Sequence, residues 1–496
     1  MITILPKSTF KSARAPLSVA AAACSCVVTC IYWPDLSLSL ALLLAAILLI
    51  AMLCMRSYLG VFVVFALLAW FPEMSQTNSE VWSASDFPSL YNFRPIPALY
   101  ASAFDYLFLI VVVIWLVMVE KPALITAIQS RLTSRILLWG VIGVLALAYG
   151  ILRGNELYYA LREFRVTAYF VLIYLMFTTT VTSKKTAYMF VALIVTMGGI
   201  VGIYGVFRHM ANVGKLYYGQ KLIFYDMGDS TLIYIGLLII FSILLYQPRW
   251  YLYLVVVPMV YTFVFSFRRG AWLGLIGALL IAFRYRSEKR KARTFRLAVI
   301  VGALAAIVAV ASTTTTRDLV VQRFLSITDT QEDTSNMFRV LDALNALNSI
   351  YSHPMFGVGY GGRYEMKYYS EIAAPARFWE SVNKTSHNGY LFVLFKTGIV
   401  GGVVFLLMMG GYLQFWFRHR KKFENGLDAA MFRGLGAGVI ALLITTFTGP
   451  IPDTIRSGLF ASFLMAASVV LQRSCESKQF PSPQSEPAVA HGASLQ

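Results

Sequence analysis

Runs of about 16 to 25 apolar residues recur along this chain, separated by short polar joints, and that pattern fixes the solvent in which it folds. A helix rising 1.5 Å per residue crosses roughly 30 Å of hydrocarbon in about 20 residues. Candidate spans fall at 17–33, 36–55, 57–72, 99–119, 136–152, 166–182, 186–207, 231–246, 250–267, 270–283, 297–312, 390–417, 433–449 and 458–472. Composition agrees: 13% of the 496 residues are charged, against roughly 25% in a soluble domain. Too few charged side chains remain to coat three soluble domains. The expected fold class is an all-α polytopic membrane protein with about 12–14 transmembrane helices and one large, partly helical external loop.

The net charge of +18 would suggest nucleic acid in a soluble protein, but its distribution argues otherwise. The largest basic block runs from Arg284 to Arg296 and a second from Arg418 to Lys422, each between apolar runs. Short basic loops are those the positive-inside rule leaves in the cytoplasm. Starting inside with Lys7, Lys11 and Arg14, alternate counting assigns to the cytoplasm the joints at Arg56, Lys121 to Arg135, Lys184-Lys185, Arg249, Arg284 to Arg296 and Arg418 to Lys422, all of them basic. No nucleic-acid partner is expected; membrane lipids are. Ala21-Ala22-Ala23-Cys24 faintly resembles a lipoprotein cleavage site, but the apolar run continues past it, so an uncleaved first span is expected.

The longest external segment, 313–386, carries seven basic and eight acidic residues and is nearly neutral. Met337, Phe338, Leu341, Leu344, Leu347 and Tyr351 recur in it at helical spacing, which predicts an amphipathic helix. His353-Pro354-Met355-Phe356-Gly357-Val358-Gly359-Tyr360-Gly361-Gly362 must then turn, since one Pro and four Gly break any helix. The expected organisation is a bundle of the first eleven spans over 1–312, the external loop over 313–386, three last spans over 387–472 and a disordered cytoplasmic tail over 473–496.

Three groups of polar residues reach the external ends of spans. Arg162 and Arg165 lie three apart on one helix face, Arg268-Arg269 precede Gly270-Ala271, and His387 closes the large loop. Each has a plain alternative: interfacial Arg commonly snorkels, Glu163 can bridge to Arg162, and a lone His is often a cap. His209, His353, His419 and His491 are left as structural. Two Arg pairs on the side where few are expected nevertheless point to an anion, and guanidinium forks match phosphate oxygens. A neutral His beside them can take a proton from a hydroxyl. External acids form no paired motif for a divalent ion, Asp226 and Asp229 being separated by two residues, so neither metal nor cofactor is expected.

Asn336-Met337-Phe338-Arg339, His353-Pro354-Met355-Phe356-Gly357-Val358-Gly359, Ser386-His387-Asn388-Gly389-Tyr390-Leu391 and Lys396-Thr397-Gly398-Ile399-Val400-Gly401 follow one another in an order that resembles the O-antigen ligase and Wzy-type polysaccharide polymerase superfamily. Phe267-Arg268-Arg269-Gly270-Ala271 is similar to that family's Arg-Gly-Ala helix start, although Ser-Arg is commoner there than Phe-Arg. The resemblance spans about residues 150–410. It implies a metal-independent, inverting GT-C-type glycosyltransferase of bacterial surface-polysaccharide assembly, in the inner membrane, with its site facing the periplasm. The donor would be an undecaprenyl-diphosphate-linked glycan and the acceptor a glycan or lipid A-core hydroxyl, with a slight lean to polymerase and with other polysaccharide-assembly proteins as partners. His387 would be the base; Arg269 and Arg165, then Arg162, Arg268 and Arg339, would hold the diphosphate. A lipid-linked-oligosaccharide flippase or other transporter would also explain the spans, and a membrane O-acyltransferase would also use a His.

Overall fold

The computed structural model describes residues 58–70, 101–210, 215–217, 220–222, 227–247, 249–283, 334–370, 383–423, 426–449 and 454–479. The expected spans 17–33, 36–55 and 297–312, the basic loop 284–296 and the end of the tail lie outside them. The described elements are α1 (Tyr58–Trp70), α2 (Ala103–Met118), α3 (Lys121–Ile128), α4 (Arg131–Leu152), α5 (Leu157–Thr180), α6 (Lys184–Met210), α7 (Met227–Tyr246), α8 (Tyr251–Phe265), α9 (Arg269–Phe283), α10 (Thr334–Ser352), α11 (Gly389–His419), α12 (Gly426–Thr445) and α13 (Ile455–Gln479). One antiparallel hairpin, Lys215–Tyr217 with Gln220–Leu222, is added between α6 and α7 and was not expected. The chain is an all-α polytopic membrane protein. Among the described residues five helices are long and apolar enough to cross a membrane, or six if α2 and α3, bent by 108°, make one broken span.

Local chemistry sets the helix starts. Ser102 and Asp105 form a reciprocal capping box on α2, satisfying two backbone donors that the first turn leaves open. Asn388 does the same for α11, its Oδ1 accepting from Tyr390 N at 3.0 Å and Leu391 N at 3.1 Å. Pro122 at the first turn starts α3 after the bend, where its missing N–H costs nothing.

Helix α13 is the centre of the bundle: 94% of its apolar window is buried, against 33% for α4 at the edge. It packs on α5 and α12, while α12 also packs on α7 and α9, and α4 on α11. Phe62, Phe177, Phe190 and Phe463 fill the space between α1, α5, α6 and α13 with ring centroids 5.0–6.3 Å apart. Without a hydrophobic drive between helices in lipid, such close packing is what holds spans together.

The turn after α10 plugs into a break in α11. At Gly398 the backbone leaves the helix with φ 65° and ψ −167°. Val358 N donates to Phe395 O at 2.9 Å, Gly359 N to Lys396 O at 3.0 Å, and Ile399 N to Pro354 O at 2.8 Å. Thus two separate sequence motifs satisfy one another's open backbone groups. Gly359, at φ 76°, must be glycine twice over, because a Cβ there would meet the α4 backbone at Gly150 at 2.6 Å.

A buried ion pair locks that turn. Lys396 Nζ donates to Glu163 Oε1 at 2.7 Å and to Gly362 O at 2.8 Å, and Gly361 N donates to Glu163 Oε2 at 2.8 Å. The Lys396 side chain is completely buried. Glu163 therefore pairs with Lys396 and not with Arg162; adjacent helical residues do not face each other.

Candidate active site

Arg269 opens α9 and is buried, although it is charged. Just before it, Phe267 sits at φ 53°, a conformation that costs a bulky residue about 1–3 kcal/mol. Its ring is buried against Phe265 and Trp272, with centroids 6.2 and 6.4 Å away, which offsets the strain. The turn this produces drives Arg268 and Arg269 inward. Gly270 lets α9 approach α12, since a Cβ on it would lie 1.9 Å from Thr448 Oγ1.

Arg268, Arg269 and Arg339 line one cavity of about 240 Å³, together with Ser230, Tyr234 and Thr445. Among the described residues none that lines it is acidic. Ser230 is 2% exposed and its hydroxyl has no hydrogen-bond partner among the described residues. Three cations and an unsatisfied donor make a chamber suited to an anion rich in oxygen.

His387 does not line this chamber but is tied to it through two helices. Gly389 N donates to Thr446 O at 2.8 Å and Tyr390 OH to Leu443 O at 2.8 Å, so the start of α11 is fixed to the end of α12. That same end supplies Thr445 and Thr448 to the cavity wall. Helix α10 gives the second tie. Arg339 faces the cavity, while Phe338 meets the His387 ring edge-on at 5.0 Å.

Asp342, one turn further along α10, was not singled out in the sequence and proves central. It is 1% exposed and accepts from Tyr364 OH at 2.7 Å, Ser386 Oγ at 3.2 Å and His387 N at 2.8 Å. The His387 Nδ1 lies 3.5 Å from its Oδ2, and the imidazole is about one-third exposed. Burial first, and then the Asp342 charge, pushes the Tyr364 phenol above its ordinary value, so it stays a donor to the carboxylate. Nothing in the motif spacing marks this Asp; only the fold brings residues 342, 364 and 387 together.

The other candidate arginines sit elsewhere. Arg165 donates to Asp105 Oδ2 at 2.8 Å, and Tyr169 OH donates to the same carboxylate, at the capped start of α2. Arg162 is exposed, and neither lines the cavity. His353 accepts from Arg153, 200 residues away in sequence, at 3.0 Å, and His419 donates to Phe415 O one turn earlier at 2.8 Å. Arg208 and Arg456, both buried, were not foreseen as inward-facing charges. Among the described residues no group of three His, Cys, Asp or Glu is gathered that could hold a metal ion.

Residues 254–406 match the family model described as O-Antigen ligase. The match supports the O-antigen ligase and Wzy superfamily. The match runs from α8 through the kink of α11, so it contains Arg268, Arg269, Arg339, Asp342, His387 and Lys396 but neither Arg162 nor Arg165. It supports membrane-bound polysaccharide assembly of the ligase or polymerase type. No curated protein gives a significant match to the chain.

Proposed function

We propose that this O-antigen ligase-related protein transfers a glycan from a polyprenyl-diphosphate donor to an acceptor hydroxyl, with inversion, in the bacterial inner membrane and on the periplasmic side. The observation that carries the reading is the pairing of a three-arginine cavity with a histidine held on a buried carboxylate. The side follows from charge. Helices α11 and α12 meet the basic segment Arg418–Lys422 at their other ends, the ends that the positive-inside rule leaves in the cytoplasm.

In this reading His387 takes the proton of the acceptor hydroxyl at Nε2 as the oxygen attacks the anomeric carbon. The bond from that carbon to the phosphate oxygen breaks, and its electron pair leaves on the polyprenyl diphosphate. Arg269, with Arg268 and Arg339, stabilises the negative charge that grows on the leaving group. Asp342 touches neither substrate; it positions His387. An apolar cleft lined by Trp139, Phe170, Phe405 and Leu442 adjoins the same end of α12 through Thr446, and would take a short stretch of the lipid tail.

The acceptor is a glycan in a polymerase and lipid A-core in a ligase, and the lean is to polymerase because the large loop and extra spans expected from the sequence leave room for a bulky glycan acceptor. Purified protein in proteoliposomes, given a lipid-diphosphate-linked oligosaccharide, tests the reaction. Transfer that stops in His387→Ala, with donor binding intact, is the expected result; full transfer by that variant would remove His387 from the mechanism.

A further inference from the structure

Helix α10 buries a largely polar side and exposes an apolar one. Asp342, Asn345 and Ser349 are buried with Phe338 and Ala346, whereas Val340, Leu344, Leu347 and Tyr351 are exposed, Tyr351 by 89%. The sequence pattern located the helix but did not say which way its apolar residues face. The polar residues win the inside because they are bonded there. Asn345 Nδ2 donates to Tyr368 O at 2.6 Å, and its Oδ1 accepts from Lys367 N at 2.9 Å and Tyr368 N at 2.8 Å. The exposed four, spaced by four, three and four residues, form one continuous stripe. Scattered exposed apolar residues mean nothing, but a stripe of this kind marks contact with another phase or partner.

What the stripe runs into identifies that contact. After Tyr351 the chain turns and presents Met355 and Phe356, 54% and 59% exposed. Phe356 lies 6.3 Å from the Tyr149 ring of α4, and Met355 O accepts from Val400 N of α11 at 3.3 Å. From there α4 exposes Leu138, Val141, Leu145 and Leu152, and α11 exposes Ile399, Val403 and Leu406. These are the outward flanks of two helices long and apolar enough to cross a membrane. The stripe thus continues the lipid-facing surface of the bundle.

We propose that α10 lies in the membrane interface, its stripe of Val340, Leu344, Leu347 and Tyr351 seated among lipid acyl chains at the headgroup boundary. Helices of this kind lie in the plane with their apolar face sunk into that boundary, and Tyr favours its depth. The opposite side of α10 carries Arg339 toward the cavity and Asp342 toward His387. The bilayer therefore sets the height of the catalytic wall at the level where a membrane-borne diphosphate would sit. The seat itself stands on exposure and packing, whether or not the protein transfers glycan.

Site-directed spin labelling in vesicles of phosphatidylethanolamine and phosphatidylglycerol tests it. With the five native cysteines replaced by Ser, a nitroxide at Leu347→Cys should relax faster with dissolved oxygen than with a water-soluble nickel chelate. A nitroxide at Lys367→Cys, an exposed site on the segment stapled to the other face, should show the reverse. Tyr351→Cys provides a second stripe position should Leu347→Cys fold poorly. Nickel reaching the stripe as readily as position 367 would place it in water, and exclusion of both relaxants would mean another protein surface covers it; either result overturns the proposal.

Discussion

The backbone N–H of His387 donates to Asp342 Oδ2 at 2.8 Å, while the His387 Nδ1 sits 3.5 Å from the same oxygen. A carboxylate repels an unprotonated ring nitrogen, so this placement favours the tautomer with hydrogen on Nδ1. The lone pair then rests on Nε2, on the far side of the ring from Asp342. Holding the ring in one tautomer and orientation is how an orienting Asp assists a His base elsewhere.

Asp342→Asn should therefore lower turnover by about 10²-fold or more, the range a general base supplies, without weakening donor binding. Nitrogen NMR of histidine-labelled protein should show His387 shifting from the Nδ1–H form to a mixture of tautomers. Tyr364→Phe removes one hydrogen bond, worth about 1 kcal/mol, and keeps the carboxylate; it should lower thermal stability and leave the tautomer alone. If both variants lost turnover equally with the tautomer unchanged, Asp342 would be a loop anchor and nothing more.

Arg269 separates charge from geometry. A guanidinium fork holds a diphosphate bidentately and an ammonium cannot, so Arg269→Lys should fail nearly as badly as Arg269→Ala in donor binding and turnover. A depth anchor would accept Lys without loss. Titrating both variants with a lipid-diphosphate donor decides between them, and full activity in Arg269→Lys would return the residue to an anchoring role.

The helical class and the turn at 353–362 were legible because each rests on a local signal: apolar run length, or Pro and Gly density. What stayed hidden depended on long-range pairing. Asp342 looks like one more polar residue of an amphipathic helix until Tyr364 and Ser386 fold onto it. Glu163 has Arg162 beside it in sequence, and only the docking of the turn against α11 supplies Lys396 instead. The outward direction of the α10 stripe was not legible for a related reason. Periodicity shows that a helix has two faces, and in a membrane protein the apolar face need not be the inner one.

The Glu163–Lys396 pair makes a stability prediction. Removing one partner leaves a buried charge uncompensated, at a cost of about 3–5 kcal/mol. Lys396→Ala and Glu163→Ala should each lower the thermal transition of the detergent-solubilised protein sharply. The double variant Glu163→Gln with Lys396→Met, which leaves no buried charge, should recover much of the loss. A double variant no better than the singles would mean that the hydrogen bonds to Gly361 and Gly362 dominate.

Metal dependence offers a test of leaving-group stabilisation. Arginines acting on the diphosphate need no divalent ion, so transfer should survive EDTA unchanged. Loss on chelation with recovery in Mg²⁺ or Mn²⁺ would replace the arginine account with one in which an ion bridges the phosphates.

Arg165 decides how far the diphosphate site extends. The family resemblance gave it the same role as Arg269, yet the fold pairs it with Asp105, which also accepts from Tyr169 and caps α2. A guanidinium already neutralised by a carboxylate has less charge to offer a phosphate, and moving it would leave Asp105 without its cation. Arg165→Met should therefore lower the thermal transition modestly, a partly exposed pair being worth about 1 kcal/mol or less. Donor affinity should change far less than in Arg269→Ala. Asp105→Asn supplies the complementary arm. If Arg165 serves Asp105, freeing it will not tighten donor binding; if it is a diphosphate ligand restrained by Asp105, the freed guanidinium should bind the donor more tightly. Tighter binding in Asp105→Asn together with weaker binding in Arg165→Met would bring Arg165 into the anion site.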